Sequence, residues 1–243
     1  MREKCKTVIA FGSCACFGGI PALANLFVKG EVFDRVFKST KSTEPGEYPS
    51  VNIPPWTDRV YALDEVIKVD TSLPGCPPPP NLIVEAITAA VENKPFKLEE
   101  KPVCEDCPRN PELRVLLRFL PRLLLRSLLK SLLRREIKAT AEVKRPLGPT
   151  EDGRCFLSEL GYLCLGHVTR AGCRGKEDVP RCTAAGFPCR GCFGPVRAGR
   201  DMMVEMMDAL VIVGLNVRTI PDYVATFNRY MGAHNKLQPH KVR

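Results

Sequence analysis

The sequence predicts an α/β fold over the first hundred residues, followed by a module organised by cysteine. Three observations carry this. Residues 6–11 form an apolar run that stops at Gly12 and continues as Ser13-Cys14-Ala15-Cys16-Phe17-Gly18-Gly19, with a predicted helix over 21–28. A strand, a glycine-rich turn and a helix make the unit of a parallel sheet, whose sites lie at the carboxyl ends of its strands. Next, Leu73-Pro74-Gly75-Cys76 runs into four consecutive prolines, which cannot lie inside a sheet because proline has no N–H to donate. Finally, eight of the 12 cysteines fall between 104 and 192.

The elements follow in order. Residues 39–58 hold four prolines among Ser and Thr and few aliphatics, and read as a surface loop. Residues 63–69 suit a short helix or a strand. An apolar stripe predicts a helix over 81–92, and the Pro-, Lys- and Glu-rich residues 93–103 a connection between domains. The boundaries expected are 1–100 for the α/β domain, 101–197 for the cysteine module and 198–243 for a helical C-terminal segment. Helices are expected over 198–210 and near 221–230. Met202, Met203, Met206 and Met207 are at helical spacing, which suits core or subunit interface better than a cofactor box.

At 44% hydrophobic and 26% charged, the 243 residues exclude wholesale disorder. The start is too short and too abruptly broken for a signal peptide, and no run of about 18 apolar residues exists to span a membrane. A cytoplasmic location is expected, and in a reducing compartment clustered cysteines are metal ligands before they are disulfides.

Cys104-Glu105-Asp106-Cys107-Pro108 and Cys189-Arg190-Gly191-Cys192 are two C-x-x-C pairs, a spacing at which two thiolates face one metal or one cluster edge. Cys155, Cys164, Cys173 and Cys182 lie between them, each nine residues from the next. Eight thiolates fit two four-thiolate sites. Zinc and iron–sulfur are both open; the nine-residue spacing suits no zinc ribbon, and a proline after a ligand favours two 4Fe–4S clusters. His167, near Cys164, reads as a surface or hydrogen-bonded histidine before a residue that tunes or ligates a cluster, and Arg190 as a solvated arginine before a charge tuning a cluster. Residues 12–19 lack the G-x-G-x-x-G order and the G-K-S/T of a phosphate loop.

Gly12-Ser13-Cys14-Ala15-Cys16-Phe17-Gly18-Gly19-Ile20-Pro21-Ala22-Leu23 and Leu73-Pro74-Gly75-Cys76-Pro77-Pro78 resemble the small subunit of nickel–iron hydrogenases, and share signatures with the 20-kDa subunit of respiratory complex I. That subunit carries a single cluster and lacks the eight later cysteines. With those cysteines, the chain is similar to the small (gamma) subunits of cytosolic archaeal hydrogenases, both deazaflavin-reducing and viologen-reducing, over 6–109 and 155–196. The resemblance implies a partial flavodoxin-like parallel-sheet domain followed by a ferredoxin-like module. It implies metal ligation by Cys104, Cys107, Cys155, Cys164, Cys173, Cys182, Cys189 and Cys192 in two 4Fe–4S clusters, their partition left open. Cys14 and Cys76 match two ligands of a third, proximal cluster. The partners implied are a nickel–iron large subunit, which holds the hydrogen-splitting metal, and a flavin- or iron–sulfur-containing redox subunit; nucleic acid is not among them.

The family carries a further C-x-G-C about sixty residues before the Gly-Ser-Cys loop, and this sequence starts just short of its second strand. The proximal cluster is therefore expected only if two more thiolates are supplied. Truncation of the start, a separate chain or loss of the cluster would account for the difference, truncation being favoured. Cys5 and Cys16 are poor substitutes, since Cys16, two residues after Cys14, is expected to point away from it and Cys5 lies at the other end of the strand. The second reading, from another class, is a ferredoxin-like carrier or scaffold of a non-hydrogenase complex that has lost its proximal site. Between Cys173 and Cys182 the chain is longer than the family pattern, lengthening a loop without removing a ligand.

The net charge of +9 first suggests an acidic partner. It is concentrated, however: residues 113–145 carry ten basic residues against two acidic ones, +8 of the total. Within 113–138, Arg114, Arg118, Arg122, Arg126, Lys130 and Arg134 recur every fourth residue amid leucine, which predicts an inserted basic helix kinked at Pro121. Docking on a partner or packing within the protein is the favoured role; peripheral membrane contact is the other. Deleting 113–138 is expected to abolish co-purification with a partner subunit or with membranes while leaving the two C-terminal clusters, and unchanged co-purification would remove both interaction readings.

Overall fold

A computed structural model describes residues 2–42, 44–110, 153–175 and 178–239. The predicted basic helix at 113–138 lies outside the described residues. The chain divides into two compact units: Met1–Pro74 with Asn228–Arg243, and Gly75–Phe227.

The first unit is mixed α/β. Strand β1 (Ile9–Phe11) pairs in parallel with β2 (Thr71–Leu73), Ile9 opposite Thr71 and Phe11 opposite Leu73, and this two-stranded sheet is the one found among the described residues. The strand expected over 6–11 is thus shorter, and the 63–69 segment resolves into a 3-10 turn at Leu63–Glu65 with the strand beginning at Thr71. Asp70 fixes the entry to β2: its Oδ2 accepts the Val8 N–H at 2.8 Å, and its carboxylate pairs with Arg2.

The expected turn after β1 is helix α1 (Gly12–Phe17). Gly12 has φ +83°, so the chain turns from strand into helix with no intervening loop, and the small residues that follow offer no steric objection. The helix expected over 21–28 is a 3-10 helix, Ile20–Leu26, and a further helix, α2 (Lys29–Phe37), follows it unannounced. Residues 39–58 carry no helix or strand among those described, and Tyr48 and Trp56 lie against Phe33 with ring centroids 5.2 Å away.

Asn25 stitches the discontinuous unit together. It is 5% exposed; its Nδ2 donates to Val60 O (2.9 Å) and Gly232 O (3.0 Å), and its Oδ1 accepts the Val60 N–H at 2.8 Å. Three separate chain segments therefore meet on one side chain. Gly232 packs so tightly on Ala22 that a Cβ there would stand 2.5 Å from Ala22 O.

The second unit contains α3 (Pro80–Val91), α4 (Arg181–Ala184), α5 (Met202–Ile212) and α6 (Tyr223–Phe227). Asp201 caps α5, its carboxylate accepting the Met203 N–H at 3.0 Å, and Met202, Met206 and Leu210 form the buried face. Half of the methionine set is core. Three irregular segments do the organising. Val103 N donates to Thr169 O (2.8 Å), Ala171 N to Lys101 O (2.8 Å), Arg170 N to Gly194 O (3.0 Å) and Leu165 N to Cys189 O (2.9 Å). Residues 164–171 are thus flanked by 101–104 on one side and 189–195 on the other.

Replacing Asn25 by leucine leaves one buried and two part-buried backbone groups without this partner and is expected to cost about 2 kcal/mol, read as a lowered urea midpoint.

Candidate cluster-binding thiols

Cys14 lies on α1 and is exposed; Cys76 follows β2 and is exposed. Each stands three residues beyond the last residue of its strand, the position at which parallel sheets present ligands. Gly19, at φ +58°, leaves room for Cys14: a Cβ there would come within 2.6 Å of the Cys14 Sγ. Cys16 is 5% exposed and its Sγ–H donates to Ala10 O at 3.2 Å, while burial pushes its pKa up to about 12. It is a neutral core thiol. Cys5 is exposed.

The pairing of the three segments in the second unit converges thiols that are far apart in sequence. Cys104 N donates to Gly166 O at 3.3 Å, which sets the first C-x-x-C beside Cys164. Gly166 fills no space between them; a Cβ would lie 3.1 Å from Cys104 Sγ and 3.6 Å from Cys164 Sγ. Burial pushes the Cys164 thiol up, and the neighbouring Cys104 and then Cys155 add to it. The Cys189 N–H donates to Cys164 Sγ at 3.2 Å.

Cys155 is also close enough to act on Cys164. Arg109, 2% exposed, makes the connection: its guanidinium lies over the Phe156 ring, 4.4 Å from the centroid, and its Nη1 donates to Arg154 O at 3.2 Å. Cys107 is buried in the same turn as Cys104, its N–H donating to Cys104 O at 3.2 Å.

The remaining four thiols surround a cavity. It has a volume of about 370 Å³ and is lined by Cys173, Cys182, Cys189, Cys192 and Cys76, with Val103, Pro79 and Phe193 among its apolar walls. A tight hairpin sets Cys173 beside Cys182: Arg174 bridges Pro180, Gly175 N donates to Val179 O (2.9 Å) and Arg181 N to Cys173 O (3.1 Å). The segment 174–181, expected to lengthen a loop between these cysteines, is paired at both of its ends. Burial raises the Cys173 thiol to about 11 and the Cys192 thiol to about 12, and raises Cys182 and Cys189 as well. Met202 packs beneath the Cys189–Cys192 turn, its Cε 3.3 Å from where a Gly191 Cβ would be.

Among the described residues no three His, Cys, Asp or Glu side chains close on a single-ion point. The second group of thiols instead lines a partly buried space, and a backbone N–H is aimed at the Cys164 sulfur, a donor set that suits an iron–sulfur cluster. His167 is half-buried, and burial lowers its pKa; its Nε2 has no hydrogen-bond partner among the described residues. Sequence reasoning missed Arg109, Gly166 and the hairpin. Arg109 had a visible signal, a charged residue directly after Cys107-Pro108; Gly166 had none.

Residues 1–90 match the family described as NADH ubiquinone oxidoreductase, 20 Kd subunit. The chain is 40% identical over 230 residues to a subunit of the vhu F420-non-reducing hydrogenase of Methanocaldococcus jannaschii, covering 95% of this chain and 70% of that protein. It is 33% identical over 227 residues to the iron-sulfur subunit of the F420-non-reducing hydrogenase of Archaeoglobus profundus, covering 86% of this chain and 63% of that one. A crystal structure of an NAD+-reducing [NiFe]-hydrogenase in the H2-reduced state aligns at a TM-score of 0.37 and 27% identity, over 40% of this chain and 56% of its own.

A methyl group at Gly166 would press on Cys104 and lie in contact with Cys164. Gly166→Ala is expected to lower the iron and sulfide held after anaerobic purification by about half, with the rest retained.

Proposed function

The chain belongs to the family of electron-transferring iron–sulfur subunits of F420-non-reducing hydrogenases, and from that premise we propose which residues hold its clusters and what it connects. Cys104, Cys107, Cys155 and Cys164 hold one 4Fe–4S cluster. Cys173, Cys182, Cys189 and Cys192 hold the second. Two observations support this partition: the 370 Å³ cavity, which the second group lines together with Cys76, and the place of Gly166 beside Cys104 and Cys164, with Cys189 also near it. Cys14 and Cys76 serve a third, proximal cluster where two further thiolates are supplied. The N-terminal unit is the partial flavodoxin-like part and the cysteine-rich unit the ferredoxin-like module.

A bound cubane supplies a one-electron couple, and the protein sets its potential. The residues of this chain do so in three ways. Their thiols ligate as thiolates, which the buried sites otherwise disfavour, so the clusters' own charge is what stabilises them there. The Cys189 N–H pointing at Cys164 Sγ offers a hydrogen bond to a ligand sulfur and raises the potential of the first cluster. The apolar walls around the second, Val103, Pro79 and Phe193, exclude water from the sulfurs.

The relay runs between a nickel–iron large subunit, which activates hydrogen, and a flavin- or iron–sulfur-containing partner, in the cytoplasm and without nucleic acid. None of the helices among the described residues is long and apolar enough to cross a membrane.

Anaerobic iron and sulfide counting with EPR tests the assignment. About eight irons mean the two clusters, about twelve mean the proximal one as well, and zinc without sulfide would overturn it.

A further inference from the structure

Asp106 stands between Cys104 and Cys107, and Arg174 follows Cys173. The two side chains meet. Arg174 Nε is 3.2 Å and Nη2 3.1 Å from Asp106 Oδ2. The same guanidinium reaches Glu99 Oε2 at 2.9 Å through Nη2 and Asp178 Oδ1 at 3.1 Å through Nη1. Lys101 closes the network, its Nζ 2.8 Å from Asp106 Oδ1 and 3.0 Å from Glu99 Oε2.

This is unlike the other ion pairs of the unit. The side chains of Asp106 and Arg174 are only 14% and 22% exposed, whereas Lys94–Glu92 and Arg197–Glu100 are largely in solvent and carry little energy. Both oxygens of Asp106 are engaged, and the arginine fork is spread over three carboxylates. Each end also grows from a rigid base. Asp106 closes the 3-10 turn Val103–Asp106, which presents Cys104 and Cys107, and Arg174 starts the hairpin that sets Cys173 beside Cys182.

We infer that Asp106 and Arg174 are a positioning pair that locks the ligand loop of one cluster to the ligand loop of the other. The inference rests on the cluster partition proposed above. An electron passing between two centres depends on their separation and on the difference in their potentials. A partly desolvated bridge between the two loops, two guanidinium nitrogens on one carboxylate oxygen, holds the first, and its charges act on the second.

The test uses the full chain, purified anaerobically, as wild type, Asp106→Asn, Arg174→Gln and Arg174→Lys. Iron counting comes first. Wild type at about eight irons, or about twelve with the proximal cluster, admits the comparison; about four or none would overturn the cluster partition and this pairing with it. EPR of the fully reduced protein then reads the magnetic interaction between the two clusters, and a redox titration reads their potentials. Asp106→Asn and Arg174→Gln are expected to keep the iron, alter or lose the interaction splitting and shift at least one potential. Arg174→Lys keeps the charge but cannot fork onto three carboxylates. It should hold the potentials near wild type while still changing the splitting, and it covers the case in which Arg174→Gln fails to fold. Unchanged splitting and potentials in variants that only melt earlier would overturn the inference and leave an ordinary stabilising network.

Discussion

The cysteine-rich unit depends on one constraint: residues 164–171 must satisfy their backbone groups on both sides, against 101–104 and against 189–195. Buried N–H and C=O groups need partners, and here no regular ladder supplies them. The pairing is irregular, a few bonds at a time, yet it decides which thiols meet. Val103 on Thr169 and Cys104 on Gly166 carry the first C-x-x-C to Cys164; Leu165 on Cys189 carries the second. Cysteine chemistry is thus assembled by main-chain hydrogen bonding between loops rather than by helices or strands.

Desolvation is the opposing term. Burial raises Cys164, Cys173, Cys182, Cys189 and Cys192 alike. A thiol so placed stays protonated and inert unless a metal takes the proton's place. Cys16 shows the inert outcome, hydrogen-bonded to Ala10 O in the core of the other unit. The same physics therefore describes a structural thiol and a thiol awaiting a ligand; company distinguishes them. Cys16 has Ala10 and Leu73 around it, whereas Cys192 has Cys173 and Cys182.

Much of this was legible in the sequence because it rests on local rules. Proline and glycine punctuation placed the turn into α3, and the apolar stripe gave the helix itself within a residue. Cys16 does point away from Cys14, but for a helical reason: both lie on α1, where two positions are about 200° of turn, whereas strand alternation would have put them on one face. What was not legible came from tertiary contacts. Helix α1 starts on a positive-φ glycine, a signal that reads equally as a loop. Helix α2 pairs Phe33 and Phe37 with Tyr48 and Trp56, rings supplied by a loop with no pattern of its own. Gly166 looks like any other glycine until the sulfurs on either side of it are known.

The Arg109 contact with Phe156 and Arg154 joins two stretches that lie 45 residues apart in sequence. One buried cation thereby ties the turn that carries Cys104 and Cys107 to the approach to Cys155. The spacing of ligands along the chain is then a poor guide to their company in space, and a change at this single arginine reaches thiols on both stretches at once.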